Sequence, residues 1–600
     1  MTTRGAELRR RLRGSRGRGR RLRGLTALLR PYRGRVALML LSLALGTGAT
    51  LAPAPLVKWA IDSGILPGNL HLLTLIVALF LVACVVVWAA TIAQTYLVEW
   101  VGQRALADLR MAIFDQLQRL PVSFYERRPA GVLISRMTND VEALDSLVTD
   151  SVVTLFQGGL TLIGTLVILV ALDLRLALLT FTMLPLIAIG SLIFRIVSAD
   201  AYRRTRETIG EITGYLQESL SGVRVVRAFG QERRHATEFA ELNERNREAN
   251  MRTVNLNAAY FPAIEFVSAV ATVVVLLYGG SQALDGAIRI GVLVGFMTAL
   301  TNFFNPITQL SQLYTTYQAG MAALDKIFEL LDEEPDMAEV PDATPLGRIR
   351  GELEFDHVSF AYAARDDREP PLALDDIDLR IAPGETVALV GATGAGKSTF
   401  AKLVARFYDP VRGRVLVDGH DIRGVTLASL RSQLGIVPQE AFLFSGTVRT
   451  NIAFGAPDAS DADVEAAARA IGAHEFIGAL EHGYDTEVGE RGGQLSAGQR
   501  QLVAFARAMI ADPRILVLDE ATSNVDLHTE ARIEQGLRRL LAGRTAVVIA
   551  HRLSTITGAS RIVVLEHGRI VEQGSHDELL AAGGAYAALY RDWSKALAAA

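Results

Sequence analysis

Residues 385–399 read ETVALVGATGAGKST, an apolar run that ends in a glycine-rich loop and a lysine. The spacing G-x-x-x-x-G-K-S from Gly391 to Ser398 predicts a strand, a phosphate-binding loop and a helix in immediate succession. Glycines let backbone N–H groups approach phosphate oxygens, the lysine reaches the β/γ oxygens and the hydroxyl holds magnesium. The expected contacts are Gly391, Thr393, Gly394, Gly396, Lys397, Ser398 and Thr399. A helix starting at Lys397 would aim the positive end of its dipole at the phosphates.

Outward from the loop, LEFDHVSF (353–360), ILVLD (515–519) and TAVVIA (545–550) are short β-like runs that alternate with helical stretches. That alternation predicts an α/β domain over 351–595 with a partly parallel sheet. The run 515–518 ends in Asp519 and Glu520, as expected if one acid holds the magnesium shell and the next polarises an attacking water. His551 comes directly after the run 545–550, within reach of a γ-phosphate. Acids and prolines accumulate over 332–351, so residues 331–350 read as a linker.

Upstream, the composition changes character. The chain has 600 residues, 50% of them apolar, and a positive mean hydropathy, more than a soluble protein of this length needs. Apolar stretches near 36–61, 70–98, 150–172, 174–197, 256–284 and 290–318 each have about the 20 residues that cross a bilayer. They define an all-α membrane domain over 36–330. The links between spans one and two, three and four, and five and six carry little positive charge beyond Arg175 and Arg289. The links after spans two and four are long and charged, the second with Arg203, Arg204, Arg206, Arg224, Arg227, Arg233 and Arg234. Arginine bias places these long links on the cytoplasmic side with both soluble ends. Each reads as two helices joined by a break, at 121–131 and near 222–230, where a short transverse helix could touch the motor.

Residues 1–35 form an arginine-rich arm with Arg9, Arg10, Arg11, Arg13, Arg16, Arg18, Arg20, Arg21 and Arg23. Such a run can attract nucleic acid or anionic lipid; preceding a span, it reads as a cytoplasmic arm obeying the positive-inside rule, with no nucleic-acid partner expected. The run Val36–Ile61 is longer than a secretory h-region and five spans come after it, so it reads as the first transmembrane helix. The single cysteine, Cys84, excludes an intrachain disulfide.

In the sixth span, Thr298, Asn302, Asn305, Gln309, Gln312 and Thr316 are spaced 4, 3, 4, 3 and 4 apart, which puts all six on one helix face. Polar side chains at membrane depth face a bundle interior or a water-filled cavity, so the stripe is expected to line a translocation pathway. Interhelical hydrogen bonding is the other reading. Glu265, after Pro262 in the fifth span, reads either as a second cavity candidate or as a side chain snorkelling toward the cytoplasmic interface, and Pro306 is expected to mark a kink.

With LSAGQ at 495–499 between the loop and the acid pair, the chain resembles the ATP-binding cassette (ABC) transporter superfamily over essentially its whole length. The resemblance implies that Tyr362 stacks on adenine, that Gln439 contacts magnesium and water, that Asp526 belongs to the D-loop and that His551 is the switch histidine. It also implies that Ser496 and Gly498 meet the γ-phosphate held by a second subunit, so that two chains pair. A membrane domain before the cassette is similar to half-size exporters of the multidrug and lipid-flippase type. The implied activity is ATP-driven export or flipping of an amphipathic or lipophilic substrate by alternating access, with ATP and Mg2+ as cofactors. Uptake by an exporter-shaped protein, for example of a siderophore, and an ATP-gated channel or regulator are the alternatives. Ala497 stands where the signature usually has glycine, and Ser523-Asn524-Val525-Asp526 where SALD is common. That combination leaves pairing with a different half-transporter and pairing with a second copy both open. Arginine greatly outnumbers lysine, pointing to a GC-rich genome and a bacterial plasma (inner) membrane.

Overall fold

Long helices dominate the N-terminal half because apolar runs continue into amphipathic ones, and the helix persists through Pro262 and Pro306. The computed structural model describes residues 26, 28–337, 339–362, 370–519, 527–550 and 552–599. The chain divides into two units, Met1–Arg119 with Pro129–Glu333, and Leu120–Arg128 with Glu334–Ala600.

In the first unit the main helices are α1 (Arg33–Leu51), α2 (Leu70–Leu117), α4 (Val152–Leu172), α5 (Leu184–Ser221), α7 (Glu232–Leu284) and α8 (Ile290–Asp332). Two short helices interrupt the long links, α3 (Val122–Arg127), which belongs to the second unit, and α6 (Val223–Ala228). Asn69 caps α2 by accepting from the Leu72 amide. Its 48 residues amount to about 72 Å at 1.5 Å per residue, far beyond ~30 Å of hydrocarbon. Past the apolar run the helix turns amphipathic, burying Val101, Ala105, Leu106, Leu109, Ala112 and Ile113 at helical spacing.

Among the described residues, five stretches are long and apolar enough to cross a membrane: Arg30–Ile65, Leu70–Leu117, Ala130–Leu172, Leu174–Ser221 and Glu232–Leu284. The sixth expected span lies in α8, whose described apolar stretch is Ile290–Pro306. α8 continues through Pro306 as one helix.

Close helix approach in this unit depends on glycines. A Cβ on Gly291 would lie 2.5 Å from Asp62 Oδ1 and from the Lys58 carbonyl, and one on Gly295 would lie 2.8 Å from the Ala54 carbonyl. The pair, four residues apart, lets the start of α8 lie directly on the backbone of the first span. Asp62 Oδ1 accepts from the Gly291 amide at 2.8 Å, meeting one unpaired N–H of the helix start. Below this, Phe296, Leu300, Phe303 and Phe304 bury against Leu169, Leu176, Ala271 and Val275.

The second unit holds two sheets. Strands β1 (Leu353–Phe360), β2 (Leu374–Ile381), β4 (Arg412–Val417) and β5 (His420–Asp421) form an antiparallel sheet ordered β2-β1-β4-β5. Strands β3 (Thr386–Val390), β6 (Leu434–Val437), β7 (Ile515–Asp519), β8 (Thr545–Ile549), β9 (Arg561–Glu566) and β10 (Arg569–Gly574) form the other, ordered β10-β9-β3-β8-β7-β6. All its pairings are parallel except that of β10 with β9.

Because strand side chains alternate, the parallel sheet feeds two separate cores. Val387, Leu389, Val517 and Val547 point into one, with Phe355 and Phe400 stacked at 3.9 Å. Ala388, Val390, Leu518 and Val548 point into the other, with Phe505, Ile533 and Leu537. Helix α9 (Lys397–Val404) packs in the first core and α10 (Ala497–Ile510) in the second. The end of the expected linker is tied to this unit: the Leu346 amide donates to Ser429 Oγ and the Ile349 amide to Gln433 Oε1, each at 2.8 Å.

Candidate nucleotide-binding site

The loop after β3 turns back on itself with Gly391, Gly394 and Gly396 at φ 149°, 87° and 106°, a region closed to most L residues. A Cβ at Gly391 would meet the Leu565 carbonyl at 2.2 Å, and one at Gly396 the Ala373 carbonyl at 2.7 Å. Two of these glycines are therefore required twice, by conformation and by space. The loop delivers Lys397 to the first position of α9, where the side chain is buried and its Nζ donates to the carbonyls of Gly391 at 2.7 Å and Ala392 at 3.0 Å. Burial lowers the pKa of this ammonium, and the charge of Asp519 opposes the shift. Thr393 and Ser398 are exposed at the loop and at the first turn of α9.

Parallel pairing gathers the other residues at the same sheet edge. Asp519 ends β7, and Val437 of β6 pairs with Leu518, so exposed Gln439 stands two residues beyond that pair. β8 pairs with both β3 and β7, so its C-terminal end lies between theirs. The C-terminal edge of parallel strands is where α/β sheets bind ligands. Glu520, Asp526 and His551 lie outside the described residues. The donor set of a serine hydroxyl, a carboxamide and a carboxylate is all oxygen, which fits Mg2+.

Tyr362 comes just after β1 and is held by its hydroxyl, 3.0 Å from Thr399 Oγ1, and by edge contacts to Phe360 at 5.0 Å and Tyr408 at 5.3 Å. Lys402, on α9, lies 5.3 Å from the Tyr362 ring centre. Its Nζ donates to Glu126 Oε1 on α3 at 2.8 Å, and the Tyr408 hydroxyl donates to Glu126 Oε2 at 2.6 Å. Sequence reading expected a transverse helix near 121–131 to touch the motor but named neither Glu126, Lys402 nor Tyr408. Nothing in their spacing marks them, since the three meet only through tertiary folding.

LSAGQ is brought elsewhere. Ser496 is the exposed N-cap of α10: its hydroxyl accepts from the Gln499 amide, and Gln499 Oε1 accepts from the Ser496 amide. Ala497 is exposed at the first helical position, and Gly498 is buried. Lys397 and Ser496 thus start helices held in different cores on opposite faces of one sheet. In the first unit, Thr298, Asn302 and Thr316 are half-buried and Asn305, Gln309 and Glu265 exposed. The side chain of Gln312 lies outside the described residues. The stripe thus turns away from the Phe296–Phe304 core of its own chain.

Residues 36–307 match the ABC transporter transmembrane region and residues 374–523 the ABC transporter family. An ATP-dependent lipid A-core flippase of Syntrophus aciditrophicus is 40% identical over 567 residues, covering 94% of this chain and 93% of that protein. A multidrug efflux ATP-binding/permease protein of Mycobacterium bovis is 42% identical over 569 residues, covering 94% of this chain but 47% of that protein. A solved bacterial Atm1-family ABC exporter with ATP bound superposes with TM-score 0.78 at 34% identity, covering 94% of this chain and 98% of the other. The chain belongs to the ABC transporter family, as a half-size exporter in which ATPase activity is coupled to transport across a membrane.

Proposed function

We propose that two such halves close on two ATP molecules, each nucleotide lying between the loop 391–399 of one half and the segment 495–499 of the other. The observation that carries this reading is the separation of α9 and α10 onto opposite faces of one sheet. An exposed, pre-capped helix start at Ser496 then offers backbone N–H groups to a phosphate held by the other half. Loop amides, Lys397 and Thr399 bind the phosphates, and Tyr362 presents its ring to the adenine. Lys397 exchanges its two carbonyl acceptors for phosphate oxygens. Ser398, Gln439 and Asp519 would hold Mg2+, which when bound neutralises charge on the β- and γ-phosphate oxygens. Glu520 orients and polarises the attacking water, and His551 meets the γ-phosphate. Loss of that phosphate removes contacts that favour the closed pair, which opens it again.

The cargo we assign is amphipathic, with polar groups that pair with Thr298, Asn302, Asn305, Gln309, Gln312 and Glu265, in the inner membrane of a bacterium with the cassette cytoplasmic. The flippase and efflux names of the relatives support a lipid or drug-like molecule. Ala497 is exposed at the first position of α10. Any effect of Ala497 falls on the other half's nucleotide, which is what a different partner subunit would tolerate. In inverted vesicles, with cassettes outward, ATP should drive accumulation of the cargo inside. Passive equilibration would refute pumping, and robust stimulated ATPase by the chain purified alone would refute an obligatory different partner.

A further inference from the structure

The entrance to the first span carries basic residues that nucleotide chemistry does not use. Arg30, Arg33, Arg35 and Arg104 are all exposed, and among the described residues none of them has a carboxylate partner. The Arg35 guanidinium carbon lies 3.3 Å from the centre of the Trp100 ring on α2, a desolvating stack on one face of the indole. Tyr32 meets the same indole edge-on at 5.7 Å and donates to Asp108 Oδ2 at 2.5 Å, which pins the segment to α2. Arg104 lies four residues beyond Trp100 and so shares its helix face. Arg30 and Arg33, three apart across Pro31, lie within two residues of Tyr32 and Arg35 respectively in the chain. The apolar runs 36–61 and 70–98 begin and end at this point, so the cluster sits where hydrocarbon gives way to water.

We propose that Arg30, Arg33, Arg35 and Arg104, arranged around Trp100, form a binding site for the phosphate of an anionic phospholipid, apart from the transported cargo. Guanidinium groups match phosphate oxygens in pairs, which ammonium groups do not. The indole and the adjoining apolar helix faces accept the acyl chains. Topology alone would need only the charge, whereas a fixed stack on Trp100 and a hydroxyl-anchored Tyr32 prepare a geometry.

The test reconstitutes the full chain in nanodiscs of phosphatidylcholine with a minority of phosphatidylglycerol, extracts it in mild detergent and measures retained lipid by mass spectrometry. Phosphatidylglycerol should be enriched over its bulk share. The enrichment should fall at least about fivefold in Arg30→Gln/Arg33→Gln, from the membrane-surface contribution of each arginine. Arg104→Gln, which leaves the flank of the first span intact, should lower it as well, and Arg104→Lys should restore part of it. Unchanged enrichment in Arg104→Gln would overturn the site whatever the double variant does. Loss of the bound lipid on adding millimolar inorganic phosphate would show a site for the free anion instead, and would equally refute a lipid site.

Discussion

At the residue scale the loop glycines and Lys397 have little latitude. Gly396→Ala places a side chain at φ 106° and 2.7 Å from the Ala373 carbonyl, a strain of about 1–3 kcal/mol. Thermal unfolding should report that loss, together with weakened ATP binding. Lys397→Ala removes the buried ammonium and should lower ATP affinity by at least about tenfold, a charge-assisted pair being worth roughly 1.5–3 kcal/mol; equilibrium binding of a fluorescent ATP analogue measures it. The conformation of this loop was legible in the sequence because a phosphate loop is local, falling within nine residues, 391–399. Tyr362 and Gln439 were named by resemblance, and pairing of β6 with β7 puts Gln439 beside the edge that carries Asp519.

At the element scale, α3 is held by Glu126. Burial by itself would raise the pKa of this carboxyl, but hydrogen bonds from Lys402 and Tyr408 outweigh it and hold the pKa below the ordinary glutamate value. Burial and the hydrogen bond to Glu126 push the Tyr408 hydroxyl far up, so it remains a donor at any physiological pH. A lowered folded-state pKa means the clasp is fully present above the unfolded glutamate value and is lost as pH falls through the lowered one. The protection factors of the amides over 122–127, exchange rates divided into the intrinsic rates at each pH, should therefore be constant near neutrality and fall in acid. Glu126→Ala should lower them about fivefold at neutral pH, the worth of a partly exposed ion pair near 1 kcal/mol. Protection factors independent of both pH and substitution would deny the clasp. Gly295→Leu should separate α8 from the first span, whose Ala54 carbonyl leaves no room for a side chain. Such overpacking costs about 1–3 kcal/mol and reads as a lower melting temperature in detergent. The Gly291/Gly295 pair was visible in the sequence, but its partner helix was not.

At the scale of the whole molecule, the proposed pairing leaves one chain with half of each nucleotide site. Glu520→Gln with ATP and magnesium should trap a closed pair of halves, visible as a shift to dimer in a crosslinking assay between cassettes, while steady ATP turnover disappears. Cassettes that stayed apart, or turnover that continued, would refute the roles proposed for Glu520 and the shared site.

The sequence by itself determined the order of helical membrane region and α/β cassette, the strands at 353–360 and 515–519, and the loop 391–399. Each of these depends on the period of an apolar run or on chemistry packed into a few consecutive residues. Tertiary structure alone decided that the antiparallel strands form a sheet of their own, that α9 and α10 occupy separate cores, and that Glu126 meets Lys402 and Tyr408. The physical reason is distance along the chain: Glu126 and Lys402 are 276 positions apart, and such pairings result from how sheet faces and helix surfaces bury together, which no local pattern encodes.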